Sequence, residues 1–147
     1  MTDWVPLNAK TLALPKQRKI RGVDITLVMS PYDIPEAVRG DYNRESQKFV
    51  IEFRYMSDEP WERYRYNKDI VLRIGRNSRR LYGIEVDIHA LAAQMINLRM
   101  NVAKAVTDAI DRLAHQSERL QRRENYEVAK DAIEEKQKEI FESLAPV

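Results

Sequence analysis

The alternating stretch 48–56 constrains the fold of this chain more than any other segment. Phe49, Ile51, Phe53 and Tyr55 occupy every second position, and most of the residues between them are charged. A period of two is the pattern of an antiparallel strand with one buried face, and aromatic and β-branched side chains favour strands. The stretch therefore predicts the strand against which the rest of a small sheet pairs.

Four further segments have strand-like patterns. They are residues 23–29, 61–66, 70–74 and 81–88. Prolines and glycine punctuate residues 30–40, which predicts a turn with one helical turn inside it, and residues 57–60 have the composition of a hairpin connection. These segments predict an up-and-down antiparallel meander over 48–88, with Ile84, Val86 and Ile88 facing inward and strand 23–29 added at an edge.

The composition changes after His89 and predicts helix. Neither glycine nor proline occurs between Gly83 and Pro146, which is typical of a long helical segment. Apolar residues recur at helical spacing and predict one amphipathic face that packs on the open face of the sheet. The members of this face are Leu91, Met95, Leu98, Val102, Ala105, Ala109 and Leu113.

A second apolar stripe follows an almost wholly polar stretch, residues 115–125. One long helix and two helices both agree with this pattern. Residues 99–123 carry six basic and three acidic side chains, whereas 124–142 carry three basic and seven acidic ones. Two such halves attract when they lie antiparallel, within one chain or between two chains, and we expect the second to lie against the basic stretch around Arg112, Arg119 and Arg122. The second stripe consists of Tyr126, Ala129, Ile133, Ile140 and Leu144.

The predicted fold class is α+β. An antiparallel meander of four or five strands is followed by a long C-terminal helix or helical hairpin. Three segments are predicted along the chain: an N-terminal arm at 1–22, the sheet with its packing helix at 23–114, and a helical extension at 115–147. A length of 147 residues is sufficient for one domain with a real core.

Composition narrows the classes of function. Basic and acidic residues number 25 and 23, so the net charge of +2 provides no strong field for nucleic acid or membranes. The chain has no cysteine, which excludes disulfides and thiolate chemistry and predicts a reducing, cytoplasmic setting. We expect neither a signal peptide nor a membrane-spanning segment.

The sequence predicts no enzyme. Glu85, Asp87 and His89 share one face of a strand, but neighbours at this spacing stand about 6.6–6.8 Å apart along the strand. A solvated sheet face running into a helix explains them better than a metal site does. His115 has no acidic partner at a fixed spacing, and phosphate loops, nucleophile elbows and metal-ligand quartets are absent. We therefore predict no catalytic residues, no cofactor and no metal.

Basic residues form local clusters that suit phosphate contacts. If the first two clusters converge, with tyrosines nearby for stacking, they would form a nucleic-acid contact surface. The alternative is that these clusters are ordinary solvated segments. Arg119, Arg122 and Arg123 form a third cluster. The residues of the first two clusters are Lys16, Arg18, Lys19 and Arg21 in the arm, and Arg73, Arg76, Arg79 and Arg80 before the last strand.

A signature of four parts extends over residues 42–90. It consists of Tyr42 with Asn43, the alternating strand 49–53, the segment 69–72, and the triplet Gly83-Ile84-Glu85. In these features the region resembles a family of short bacterial domains of unknown function, although such domains usually carry aspartate at the position of Asn43 and an acidic turn before the last strand. The resemblance covers about a third of the chain. It implies an antiparallel meander and no known activity.

Two functions remain as hypotheses. The first is a non-enzymatic assembly or adaptor module of a bacterial or phage-type system, which self-associates or docks on a larger complex through the stripe Tyr126–Leu144. The second is a nucleic-acid-binding accessory protein that uses the arginine-rich hairpin and the basic arm. An intramolecular helical hairpin that completes a monomer is the structural alternative to assembly.

Overall fold

The computed structural model of the chain describes residues 3–8, 12, 15–88 and 98–144. Its strands are β1 (Val5–Pro6), β2 (Lys16–Ile20), β3 (Val23–Leu27), β4 (Ala37–Asn43), β5 (Lys48–Arg54), β6 (Trp61–Arg65), β7 (Ile70–Gly75) and β8 (Leu81–Asp87). Its helices are α1 (Leu98–Gln116), α2 (Leu120–Glu135) and the short α3 (Gln137–Ile140), and 3-10 turns form at Pro31–Asp33 and Glu142–Leu144.

The predicted α+β class, an antiparallel sheet followed by a C-terminal helical hairpin, is confirmed. Six strands form an antiparallel sheet in the order β1-β4-β5-β8-β7-β6, and β2 pairs with β3 in a separate two-stranded sheet. Buried residues of the large sheet and of all three helices belong to one hydrophobic core cluster. The helices therefore cover one face of the sheet, as the amphipathic pattern predicts.

The central strand has the predicted inward face. Phe49, Ile51 and Phe53 are buried in β5, and Phe49 and Ile51 pair with Val86 and Ile84 of β8. Cross-strand partners share a face of the sheet, so these five residues form the sheet side of the core. The alternation of apolar and polar residues along the sequence was sufficient to identify them.

Strand β4 replaces the turn that its punctuation predicted. Ala37–Asn43 pairs along its whole length with β5, from Ala37 opposite Arg54 to Asn43 opposite Lys48. The alternation in β4 is hidden because Gly40 occupies an inward position between Val38 and Tyr42. A Cβ atom at Gly40 would collide with the backbone carbonyl of Ile140. The glycine is therefore required for the close approach of α3, and a turn prediction from it is wrong.

The connection from β5 to β6 is not the predicted hairpin. Both edges of β5 are occupied, by β4 and by β8, and β6 lies at the far edge of the sheet next to β7. Residues 55–60 therefore cross the width of two strands. The meander is interrupted because β8 inserts beside β5, where Phe49 and Ile51 find partners of matching burial.

Strand β3 does not join the edge of the large sheet, which corrects a further prediction. It pairs with β2, from Lys16 opposite Leu27 to Ile20 opposite Val23. The two turn residues Arg21 and Gly22 have φ of 52° and 80°, as a two-residue hairpin turn of the primed type requires. The predicted boundary after residue 22 therefore separates two strands that pair with each other.

The C-terminal segment forms two main helices, which resolves the alternative left open by the sequence. The break lies at residues 117–119, inside the polar stretch. In α1 the buried side chains are Val102, Val106, Ala109, Ile110 and Ala114. Leu98, Ala105 and Leu113 are only half-buried, and Leu91 and Met95 lie outside the described residues.

The second apolar stripe is covered by the same chain. Tyr126, Ala129, Ile133, Ile140 and Leu144 are all buried and belong to the same core cluster as the sheet. Phe141 completes this contact, with its ring 5.3 Å from the ring of Phe49. The helical hairpin is therefore intramolecular, and residues 115–144 are part of the core rather than an extension from it.

Candidate functional site

The basic arm folds as an exposed two-stranded hairpin, which we call the β-ribbon (Lys16–Leu27). All four predicted contact residues of the arm lie on it or at its tip: Lys16, Arg18 and Lys19 in β2 and Arg21 in the turn. Lys19 and Arg21 are exposed. Among the described strands, β2 and β3 pair with each other and not with the six-stranded sheet.

Apolar side chains on and beside the β-ribbon are uncovered. Val23 is 60% exposed and Ile25 is 36% exposed, and Val28, just after β3, is 70% exposed. Val23 and Ile25 occupy alternate positions of one strand and so share a face. A surface with both basic and aliphatic residues is suited to a partner that supplies apolar area as well as negative charge.

Three of the four predicted arginines near the β7–β8 turn are already paired with carboxylates. Arg73 donates from Nε to Glu85 Oε2 at 2.8 Å. Arg76 donates to Glu62 at 3.2 Å and Arg80 donates to Asp33 at 2.9 Å. Arg73 and Arg80 are largely buried as well, with side chains 14% exposed. Arg73 and Arg80 therefore stabilise the fold, whereas the pair of Arg76 with Glu62 lies at the exposed surface.

Arg79 differs from its neighbours because its partner is a neutral phenol. Its Nη1 donates to Tyr64 Oη at 2.7 Å, and the guanidinium lies 4.9 Å from the centre of the same ring. The hydrogen bond to Tyr64 raises the pKa of Arg79, so the side chain stays charged. Its backbone has φ of 63°, a left-handed conformation that is uncommon for a residue other than glycine.

Arginines of the third cluster lie near Arg79. One cavity of about 290 Å³ is lined by Arg79, Arg119 and Arg122. A second, of about 220 Å³, has the same three arginines in its wall. An adjoining cavity of about 530 Å³ is lined by Arg79 together with Arg112. We call this surface the arginine cleft and define it by Arg79, Arg112, Arg119 and Arg122.

The walls of the arginine cleft are held by two residues of α2. Tyr126 donates its hydroxyl to the carbonyl of Arg79 at 2.7 Å, and burial raises the pKa of that hydroxyl. Asn125 donates to the carbonyl of Asp33 at 2.8 Å and to Tyr55 Oη at 3.0 Å. The first turns of α2 are therefore fixed against the β7–β8 turn, which sets the spacing of the arginines.

Charge pairing in the cleft is incomplete. Within the part of the chain that the structure describes, Arg112, Arg119 and Arg122 form no ion pair with a carboxylate. Arg123 points elsewhere: it donates to the carbonyls of Ala114 and Ser117 and so caps the end of α1. One ion pair between the two helices has the opposite polarity to the expected one, since Lys130 of α2 pairs with Asp111 of α1 at 2.8 Å.

Two of the residues considered for metal chemistry, Glu85 and His115, make contacts within the fold. Glu85 is held by Arg63 and Arg73, each at 2.8 Å, and His89 lies outside the described residues. The ring of His115 is hydrogen bonded to the carbonyl of Asp111 at 2.7 Å. Over residues 3–8, 12, 15–88 and 98–144, no group of three or more His, Asp or Glu side chains is arranged to hold a metal ion.

Sequence reasoning missed the arginine cleft as a unit. Arg119 and Arg122 stood out as a local cluster, but their convergence with Arg79 depends on the packing of α2 against the β7–β8 turn. The usable signal was the alternation of arginine clusters with tyrosines.

Among the described helices, none combines the length and the apolar character needed to cross a membrane.

Comparisons with protein-family models, with curated proteins and with solved structures found no match to this chain. The resemblance of residues 42–90 to a family of short bacterial domains therefore stays a prediction. Function has to be argued from the β-ribbon and the arginine cleft themselves.

Proposed function

We propose that the protein is a non-enzymatic assembly module that self-associates through the β-ribbon. The observation that carries this proposal is the exposure of Val23 and Ile25 on a hairpin outside the main sheet, and of Val28 just after it. An isolated two-stranded hairpin is at best marginally stable in water. A partner that covers its aliphatic face would stabilise it and gain affinity from the same burial.

The route to assembly differs from the one expected from the sequence. The stripe Tyr126–Leu144 is buried inside its own chain, so docking through it would require the core to open. The β-ribbon needs no such opening. Its exposed side chains are available on the folded monomer, which makes it the better supported docking element.

A second copy of this chain is the proposed occupant because the charges are complementary. The β-ribbon and its turn carry four basic residues and one acidic residue over 16–24. The outward surface of α2 and of the residues that follow it carries exposed carboxylates, including Glu135, Glu139 and Glu142. Complementary charge sets the orientation of docking, whereas burial of aliphatic side chains supplies most of the affinity.

Light scattering on the full chain tests the proposal. The expected mass at micromolar concentration exceeds that of the monomer, and Val23→Asp with Ile25→Asp returns it to the monomer value. Met56→Asp is the matched control, because Met56 is 59% exposed and lies far from the ribbon in sequence. A wild-type protein that stays monomeric at all concentrations would overturn the proposal.

A charge exchange tests the choice of partner surface. Glu135→Lys with Glu139→Lys should weaken association, and mixing this variant with Lys19→Glu, Arg21→Glu chains should restore it. Restoration in the mixture identifies the helical surface as the docking site. If neither pair of substitutions changes the association, that surface is excluded.

The lack of cysteine agrees with a cytoplasmic location, which we propose alongside this function.

A further inference from the structure

The arginine cleft collects positive charge that the rest of the fold does not neutralise. On the large sheet, Arg39 lies against Glu52 and Arg54 lies against Glu36. Arg79, Arg119 and Arg122 instead share cavity walls. Like charges held close together repel each other, and a bound anion relieves this repulsion.

We propose that the arginine cleft binds phosphate groups of single-stranded nucleic acid. Guanidinium groups present planar forks of N–H donors that match phosphate oxygens. The arginines come from the β7–β8 turn, the end of α1 and the start of α2, so three segments contribute donors to the adjoining cavities.

Arg79 is oriented before any ligand arrives. Its guanidinium is fixed by the hydroxyl and the ring of Tyr64, and its backbone carbonyl is held by Tyr126. A donor that is already oriented loses less conformational entropy on binding.

The adjoining cavity supplies an aromatic wall. Tyr64 and Tyr66 line it together with Arg65, Arg79 and Arg112, and Tyr64 is 39% exposed. Bases of a single strand stack on aromatic side chains while basic groups follow the phosphates. A duplex keeps the faces of its bases stacked inside the helix, so the combination of arginines with exposed tyrosine favours single strands.

Two acidic residues also line the cavities of the cleft. Glu118 is exposed in the wall of the cavity of about 290 Å³. Asp33 lines the smaller cavity but accepts the hydrogen bond of Arg80. One exposed carboxylate among three or four arginines leaves the cleft net positive.

Fluorescence anisotropy with a short labelled oligothymidylate tests the proposal. The wild type should bind it at low salt, with affinity that falls steeply between about 50 and 200 mM salt. Arg119→Gln with Arg122→Gln should weaken binding about tenfold or more. The same variant should reduce the salt slope by about 0.7 for each phosphate of the single strand that the protein no longer neutralises. Neither arginine forms an ion pair with a described residue, so the variant should fold.

A matched control separates a specific cleft from diffuse charge. Arg44→Gln with Lys104→Gln removes the same charge from exposed positions outside these cavities and should leave affinity within about twofold. Equal losses in the two variants would overturn the proposal, and so would a wild type that fails to bind at low salt. Tighter binding of a duplex of the same length would overturn the choice of single strands.

Calorimetric titration with inorganic pyrophosphate and with a free nucleotide distinguishes two sources of phosphate. Weak binding of these small probes, with stronger binding of the oligonucleotide, supports a polynucleotide ligand. The opposite result would be tight binding of a free nucleotide that the Arg119, Arg122 variant abolishes, with no binding of the oligonucleotide. That result would overturn the assignment of a polynucleotide as the ligand. These outcomes are independent of the mass measured by light scattering, so this proposal and self-association fail separately.

Discussion

The side chain of Asn125 in α2 accepts a hydrogen bond from the backbone N–H of Leu81 in β8 at 3.0 Å. Pairing between β7 and β8 is interrupted there, because Arg73 pairs with Gly83 and Ile74 with Leu81, which leaves Tyr82 as an extra residue. The bulge frees the N–H of Leu81 from the ladder. Asn125 therefore links the helical layer to the sheet next to the arginine cleft.

Asn125→Ala should lower the free energy of unfolding by about 2–4 kcal/mol. The change leaves the Leu81 N–H and the carbonyl of Asp33 without this partner, and an unsatisfied buried group costs about 1–3 kcal/mol. Urea denaturation followed by circular dichroism measures the effect. Gln121→Ala, at an exposed position of the same helix, should stay within about 0.5 kcal/mol of wild type. A loss for Asn125→Ala as small as that of the control would show that the link contributes little.

Phe49→Ala should cost about 3–5 kcal/mol, the usual range for a buried aromatic side chain. Phe49 has no exposed surface and its ring contacts Phe141. Thermal and urea unfolding both report the change. Val50→Ala is the control, since Val50 lies on the opposite face of the same strand and is half-buried. Comparable losses at the two positions would contradict the assignment of faces.

Truncation after Gln121 should unfold the protein. It removes most of α2 and all of α3, whose buried residues belong to the same core as the sheet. Near-ultraviolet circular dichroism and light scattering should show loss of fixed tertiary structure. Ile133→Ala is the milder variant, expected to cost about 2–5 kcal/mol. If the truncated chain kept its sheet signal and changed only its mass, the segment would act in assembly rather than in the core.

Stability should fall in acid partly through Glu85. Burial raises the pKa of this carboxyl, but hydrogen bonds from Arg63 and Arg73 outweigh burial, so its pKa is lowered overall. A group with a lowered pKa stabilises the fold above its unfolded pKa, about 4.3 for glutamate, and this stabilisation is lost as pH falls through the folded value. The difference in unfolding free energy between wild type and Glu85→Gln should therefore be largest near neutral pH and shrink below about pH 4. A constant difference over that range would contradict an ionised Glu85 in the folded state.

The sequence determined the elements whose patterns are local. Alternation at 48–56 identified β5 and its inward residues, and the absence of glycine and proline between Gly83 and Pro146 identified the helical segment. The stripe Tyr126–Leu144 was recognised as a surface that must be covered. Each of these depends only on spacing along one element, because a side chain's face follows from a period of two or of 3.6.

The tertiary structure decided which elements meet. The order β5-β8-β7-β6, the pairing of β2 with β3, and the burial of the C-terminal stripe by its own chain all depend on competition between distant segments for the same partners. The candidate site follows the same rule. Arginine clusters are visible in the sequence, but their partners are not. Arg80 pairs with Asp33, 47 residues away, whereas Arg79 lines the same cavities as Arg119 and Arg122. The packing of α2 against the β7–β8 turn places Arg79 in the same cavity walls as Arg119 and Arg122.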